Sequence, residues 1–334
     1  MTRIQARSSS RSTQQEGQEA SGPLLSAALV PLAQWLRAEG YRFTTVTPAT
    51  HARVLARDAG PARGLRDVFG WSRPFRPALL PARAMDLLQS AGLAEPAGAG
   101  LLRSKVRFSS LGAQLCAHDA YPTTAPDAVF FGPDTYRFVQ LVEQELAGSP
   151  LRPGARILDV GCGSGAGGIA AALASGGAMD SLVLADINAR ALAFASANAA
   201  HAGCSAPTLV QGDLYAPVEG DLDFVVANPP YLNDRTERAY RHGGGRFGEA
   251  LSLRIVREGL PRLAPGGRLV LYTGVAMAQG HDPLLEALAP ELEQGGWDWR
   301  YEELDPDVFG EELDEPAYAE AERIAAVALV VRRA

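Results

Sequence analysis

A short apolar run, Arg156-Ile157-Leu158-Asp159-Val160, passes directly into Gly161-Cys162-Gly163-Ser164-Gly165-Ala166-Gly167-Gly168 and then into an Ala-rich stretch over 169–174. The run has the length of a buried strand, and the Ala-rich stretch reads as helix. Strand, glycine loop and helix open a nucleotide-binding βαβ unit, because glycines tolerate positive φ and let the backbone come close to a ligand. Residues 163–168 also fit the dinucleotide pattern G-x-G-x-x-G. That match is weak, since an octet so rich in glycine fits several templates.

Two acids separate the candidate ligands. Asp159 stands on the strand just before the glycines, where a carboxylate repels a pyrophosphate and attracts a cationic ligand, directly or through water. Asp186 ends the next apolar run, Leu182-Val183-Leu184-Ala185, the position from which an acid grips ribose hydroxyls. Further on, Leu222-Asp223-Phe224-Val225-Val226-Ala227 runs into Asn228-Pro229-Pro230-Tyr231. The Asn228 side-chain oxygen and the Pro229 carbonyl can both accept hydrogen bonds. The prolines stiffen the turn and keep the residue before them extended. Tyr231 adds a flat face. Such a group suits a planar NH2, either a carboxamide or the exocyclic amine of a base.

In order and spacing, these three parts resemble the class I S-adenosylmethionine (SAM)-dependent methyltransferases over roughly residues 127–334. The resemblance implies SAM as cofactor, held by Asp159, Gly161, Cys162, Gly163, Gly165, Asp186, Ile187 and Asn228. It also implies that Gly212-Asp213-Leu214 ends the third strand, with Asp213 and Leu214 near the adenine. The implied catalytic set is Asn228, Pro229 and Tyr231, with no metal. The N-P-P-Y form is similar to the amino-methylating branch, which acts on glutamine amides or on adenine and guanine amines.

A finer resemblance is to the release-factor glutamine methyltransferases, whose catalytic domain opens with an R-P-[DE]-T-E-like segment. Here Phe131-Gly132-Pro133-Asp134-Thr135-Tyr136 keeps Pro-Asp-Thr and lacks the Arg and the final Glu. The loop over 233–248 carries Arg241-His242-Gly243-Gly244-Gly245, followed by Ala250-Leu251, and lacks the family's Glu-Pro pair. His242 is the one tempting base in this loop and reads as merely polar. The expected function is N-methylation of a planar amide or amine, with a protein glutamine, such as that of a release factor, favoured as acceptor. Three alternatives stay open: a nucleic-acid base amine, a small molecule or peptide, and a non-catalytic SAM-binding partner subunit.

The expected fold is α/β: a Rossmann-like, seven-stranded class I methyltransferase domain with an N-terminal helical domain and a bridging β-hairpin. Residues 1–23 are Ser-, Arg- and Gln-rich and read as a disordered tail. Residues 24–103 read as a helical substrate-recognition domain, with Leu25, Leu29, Leu32 and Leu36 as a helical stripe and Gly40 as its stop. Residues 104–126 hold the hairpin, and 127–334 the methyltransferase domain. Its final strands, over 297–301 and 325–331, fit an antiparallel closing pair. The acidic stretch 305–322 between them reads as a solvated insertion.

The formal charge of −7 weighs against a large duplex substrate, although a local basic face would escape that test. Cys116, Cys162 and Cys204 are odd in number and far apart, with neither zinc nor disulfide spacing. No run reaches membrane-spanning length and no signal core opens the chain, so a cytoplasmic setting is expected.

Overall fold

The computed structural model describes residues 21–204, 206–234, 238 and 240–334. The tail expected over 1–23 lies outside the described residues as far as residue 20. Residues 21–23 open a helix instead, α1 (Ser21–Ala38). The stripe Leu25, Leu29, Leu32 and Leu36 is buried. Gly40, at φ +69°, ends the helix: the Gly40 N–H donates to the Arg37 carbonyl at 3.1 Å and the Tyr41 N–H to the Leu36 carbonyl at 2.9 Å. These paired bonds are the glycine stop the sequence signals.

Three short helices follow: α2 (Pro48–Leu55), α3 (Leu65–Phe69) and α4 (Ala82–Ser90). An antiparallel pair, β1 (Ala94–Pro96) with β2 (Leu102–Ser104), lies where the sequence suggested only helix. Three-residue strands are too short to show a period of two. The hairpin β3 (Val106–Leu111) and β4 (Gln114–Asp119) turns at Gly112, φ +57°.

The main sheet contains β5 (Ala155–Val160), β6 (Met179–Asp186), β7 (Thr208–Gln211), β8 (Leu222–Ala227), β9 (Leu263–Met277), β10 (Asp298–Asp305) and β11 (Arg323–Arg332). Their order is β10-β11-β9-β8-β5-β6-β7, and β11 runs antiparallel to both its neighbours. The helices are α5 (Pro133–Gly148), α6 (Ala166–Ala174), α7 (Ala189–Ala202), α8 (Ala250–Gly259) and α9 (Pro283–Gln294). Successive strand residues feed opposite cores. Ile157 packs with Phe138 and Ala171, whereas Leu158 packs with Ile255 and Leu288. Helices therefore cover both faces, as alternating strands and helices require.

A third core joins the helical segment to the sheet. Leu29, Phe69 and Phe108 share it with Ala191, Phe194 and Ala197 of α7. Asn198 of α7 brackets β4, accepting from the Ala117 N–H at 2.8 Å and donating to its carbonyl at 2.9 Å. Among the described residues no helix is long and apolar enough to cross a membrane.

Candidate active site

A cavity of about 370 Å³ opens at the carboxyl ends of β5, β6, β7 and β8. Crevices of this kind form where parallel strands end and the chain turns into helices. Gly161, Gly163, Asp186, Ile187, Asp213, Leu214, Asn228, Pro229 and Tyr231 all line it. Segments far apart in the chain thus meet in one space.

The glycines divide into two kinds. Gly161 (φ +67°) and Gly163 (φ +52°) face open space, where an added Cβ would meet nothing within 4 Å. A Cβ on Gly167 would come within 2.2 Å of the Phe138 ring, and one on Gly168 within 2.6 Å of Leu184. The first pair shapes the cavity, while the second lets α6 pack closely. Cys162 and Gly165 belong to the loop but do not line the cavity; Cys162 is buried, and a Cβ on Gly165 would press on Ala195 at 3.0 Å.

Asp186 accepts the Gly163 N–H and the Asn188 N–H, each at 2.8 Å. Each carboxylate oxygen keeps a second lone-pair position for a hydroxyl donor. Asp159 lies behind the loop, 2 % exposed, and does not line the cavity. Its Oδ2 accepts the Gly168 N–H at 2.7 Å. Gly165, the N-cap of α6, has no side chain to offer, so Asp159 satisfies one of the helix's unbonded donors instead. Burial pushes the Asp159 carboxyl up to about 7, against the pull of the Gly168 N–H and with a contribution from Asp186. Burial also raises the Asp186 carboxyl.

On the acceptor side, Asn228 closes β8. Among the described residues no protein group bonds its side chain, which stands against the cavity. Tyr231 is 8 % exposed and wedged rather than open. Its ring lies on β9, where a Cβ at Gly274 would come within 2.4 Å, and meets Phe309 edge-on at 5.8 Å. Its phenol faces Asp134, and burial followed by that carboxylate pushes it well above the usual range. Asp134 accepts from the Tyr272 hydroxyl at 2.6 Å and from Arg137 at 3.2 Å; Arg137 reaches on to Asp305 at 2.6 Å.

The glycine-bearing loop folds back on the turn. A Cβ on Gly243 would fall 2.0 Å from the Gly248 carbonyl oxygen, and one on Gly248 2.1 Å from the Tyr231 carbonyl oxygen. His242 does not line the cavity, and its Nδ1 is buried without a hydrogen-bond partner.

Residues 305–322 carry exposed acids, as their charge suggested (Asp307, Glu311, Asp314, Glu320 and Glu322), but the stretch also packs on the site. Phe309 lines the cavity, and the Tyr318 hydroxyl accepts the Asn233 N–H at 2.7 Å and donates to the Phe247 carbonyl at 3.2 Å. Glu312 pairs with Arg241, and Glu320 with Arg246 at 2.6 Å. The segment clamps the loop that follows Tyr231. Sequence reasoning also missed Phe130 and Tyr240, which stack at 5.9 Å between two loops on the cavity wall. Nothing local in the sequence signals that pair. Asp134 had a signal, the Pro133-Asp134-Thr135 segment, although its place on the wall was not foreseen.

The cavity suits SAM on its own geometry. Its volume falls within the roughly 300–1,000 Å³ of small-ligand sites. Asp186 offers lone pairs at a strand end, and Ile187, 64 % exposed, presents bare apolar surface at the lip. Among the described residues, the one basic side chain on the wall is Arg241, which pairs with Glu312.

Residues 140–293 match the family model described as methyltransferase small domain. Over these residues the chain is similar to that methyltransferase domain. A release factor glutamine methyltransferase of Bordetella pertussis is 35 % identical to it over 178 residues, 51 % of this chain and 63 % of that protein. One from Deinococcus radiodurans is 33 % identical over 167 residues, 47 % of this chain and 55 % of that protein. A ribosomal RNA small subunit methyltransferase C of Chromohalobacter salexigens is 39 % identical over 118 residues, 35 % of this chain and 31 % of that protein. The chain thus spans less than two thirds of each of these relatives. The similarity makes SAM the expected cofactor.

Proposed function

We propose that the protein is a SAM-dependent N-methyltransferase whose acceptor is a planar amide, the side chain of a protein glutamine. The observation that carries this reading is Asn228: its unbonded side chain lines the same cavity as Asp186, at the head of Asn228-Pro229-Pro230-Tyr231. SAM supplies an activated methyl group on a sulfonium. An amide nitrogen is a poor nucleophile because its lone pair is delocalised. Asn228 Oδ1 and the Pro229 carbonyl accept its two N–H bonds, orient the lone pair, and favour the positive charge that develops on nitrogen. Tyr231, held by Gly274, Phe309 and Asp134, fixes the turn that carries both acceptors. Residues 24–103 serve as the recognition segment, and the setting is cytoplasmic.

The identity with release factor glutamine methyltransferases supports glutamine as acceptor. A second reading, methylation of a nucleobase amine, draws on the match to a ribosomal RNA methyltransferase. The test offers the full chain labelled SAM with purified release factor and, separately, with transfer and ribosomal RNA. Label in a release-factor glutamine is the expected result. Label in RNA alone transfers the assignment to the second reading, and label in neither removes both.

A further inference from the structure

The charge of this chain is divided sharply along its length. Between residues 42 and 76 arginines recur, while Asp58 and Asp67 are the sole acids. Both are already engaged: Asp58 with Arg63 at 3.2 Å and Arg73 at 4.0 Å, Asp67 with the Arg63 N–H at 2.8 Å. Arg42, Arg53, Arg57, Arg66 and Arg76 are exposed, and among the described residues their side chains make no ion pair or hydrogen bond. The contrast is with the chain from Arg107 onward. From Arg107 onward, every described arginine donates to a carboxylate, a hydroxyl or a carbonyl.

Residues near these arginines in the chain, Phe43, Val68, Phe69 and Phe75, share one hydrophobic core. Trp71 lies 5.1 Å from Phe43 and 5.1 Å from His51, and its N–H donates to the Arg66 carbonyl at 2.9 Å. The neighbours of Arg42, Arg53 and Arg66 thus meet at one tryptophan. Tyr121 stacks on His51 at 4.1 Å and its N–H donates to Ser72 Oγ at 3.1 Å. The chain then runs from Tyr121 to Ala128, Val129 and Phe130 on the cavity wall.

We propose that this arginine face is a docking surface for single-stranded nucleic acid, held through its phosphates. Guanidinium forks match phosphate oxygens in pairs. Trp71 and Tyr121, both partly exposed, offer ring faces for unpaired bases. The acidic remainder of the chain repels a polyanion, which confines docking to this face. A single strand is favoured over a duplex because only unpaired bases can stack on aromatic rings such as these. The surface does not depend on glutamine or a base being the methyl acceptor.

The test is fluorescence anisotropy of the full chain with labelled single-stranded RNA and DNA 20-mers across a salt series. Binding with a Kd on the order of 10⁻⁶ M at low salt is expected, weakening steeply as salt rises. Arg53→Glu with Arg57→Glu should weaken binding at least tenfold. The milder Arg53→Gln with Arg57→Gln should lower the salt slope by about 1.4, at about 0.7 per lost phosphate contact. Asn228→Ala should bind the oligonucleotides normally, which separates this surface from the transfer reaction, and calorimetric SAM binding should be unchanged in the arginine variants. Absence of binding at low salt would overturn the proposal. So would unchanged binding by the arginine variants, or displacement by polyglutamate as effective as by unlabelled RNA, the mark of an acidic-protein site.

Discussion

The Tyr272 hydroxyl donates to Asp134 Oδ1 across 2.6 Å, and the same carboxylate faces Tyr231 of the Asn-Pro-Pro-Tyr turn. Arg137 completes its coordination and ties it to Asp305. Asp134 Oδ1 thus takes donors from Tyr272 and Arg137, and the carboxylate acts as an anchor for the turn.

Asp134→Asn should therefore loosen the turn without touching the cofactor half of the cavity. Hydrogen bonds to a charged acceptor are worth about 1.5–3 kcal/mol. Urea unfolding should show a loss in that range, while SAM affinity by calorimetry stays within about twofold. A large loss of SAM affinity with unchanged stability would contradict the anchoring role.

Asp159 makes stability depend on pH. Burial raises its carboxyl from the ordinary 3.8 to about 7, so the folded chain holds this proton more tightly than the unfolded chain does. Between those two values the folded state binds more protons, and its stability falls as pH rises. The stabilisation is full below about pH 4 and lost by about pH 7. Asp159→Asn keeps an acceptor for the Gly168 N–H and removes the titration. Its melting temperature should be flatter than the parent's between pH 5 and pH 7.5; parallel curves would show that another group is responsible.

Asn228→Ala should fold and bind SAM. No described protein group bonds this side chain, so the change in stability should stay within about 0.5 kcal/mol. Methyl transfer should fall by roughly 10²–10³, the usual effect of removing one preorganised polar contact. Steady-state kinetics on the acceptor identified above would decide it, and near-parental turnover would remove Asn228 from the mechanism.

Gly248→Ala tests the fold-back of the loop. The residue stands at φ +104°, and its new methyl would meet the Tyr231 carbonyl oxygen at 2.1 Å. Strain of this kind costs about 1–3 kcal/mol. Hydrogen exchange should speed up around Tyr231 and the loop, with the β5–α6 segment as protected as before. Uniform change across the chain would mean that the loop does not open independently.

The glycine loop, Asp186 and the Asn-Pro-Pro-Tyr turn were legible because each is a contiguous run whose residue types impose local geometry. The seven-stranded sheet followed from alternating strands and helices. What stayed hidden depends on contacts between distant segments. Asp159 looks like a ligand group in sequence, yet its carboxylate turns to the Gly168 N–H, a choice fixed by how α6 packs on β5. Phe309 and Tyr318 sit among so many acids that no period marks them as buried. β1 and β2 are held by their mutual ladder and by Phe75, which bonds Leu102 in both directions at 2.7 and 2.9 Å. Neither strand carries a pattern of its own.

Because β11 runs antiparallel between β9 and β10, β10 points the same way as the parallel strands. Its connection to β11 must therefore leave the sheet at the edge where the cavity opens. The glycine-loop half of the cavity is built from β5, β6 and β7, at the other side of the sheet. Residues 306–322 are in this sense an interchangeable part. Lineages, or engineers, could rewrite them to admit a different acceptor while the machinery that holds the methyl donor stays untouched.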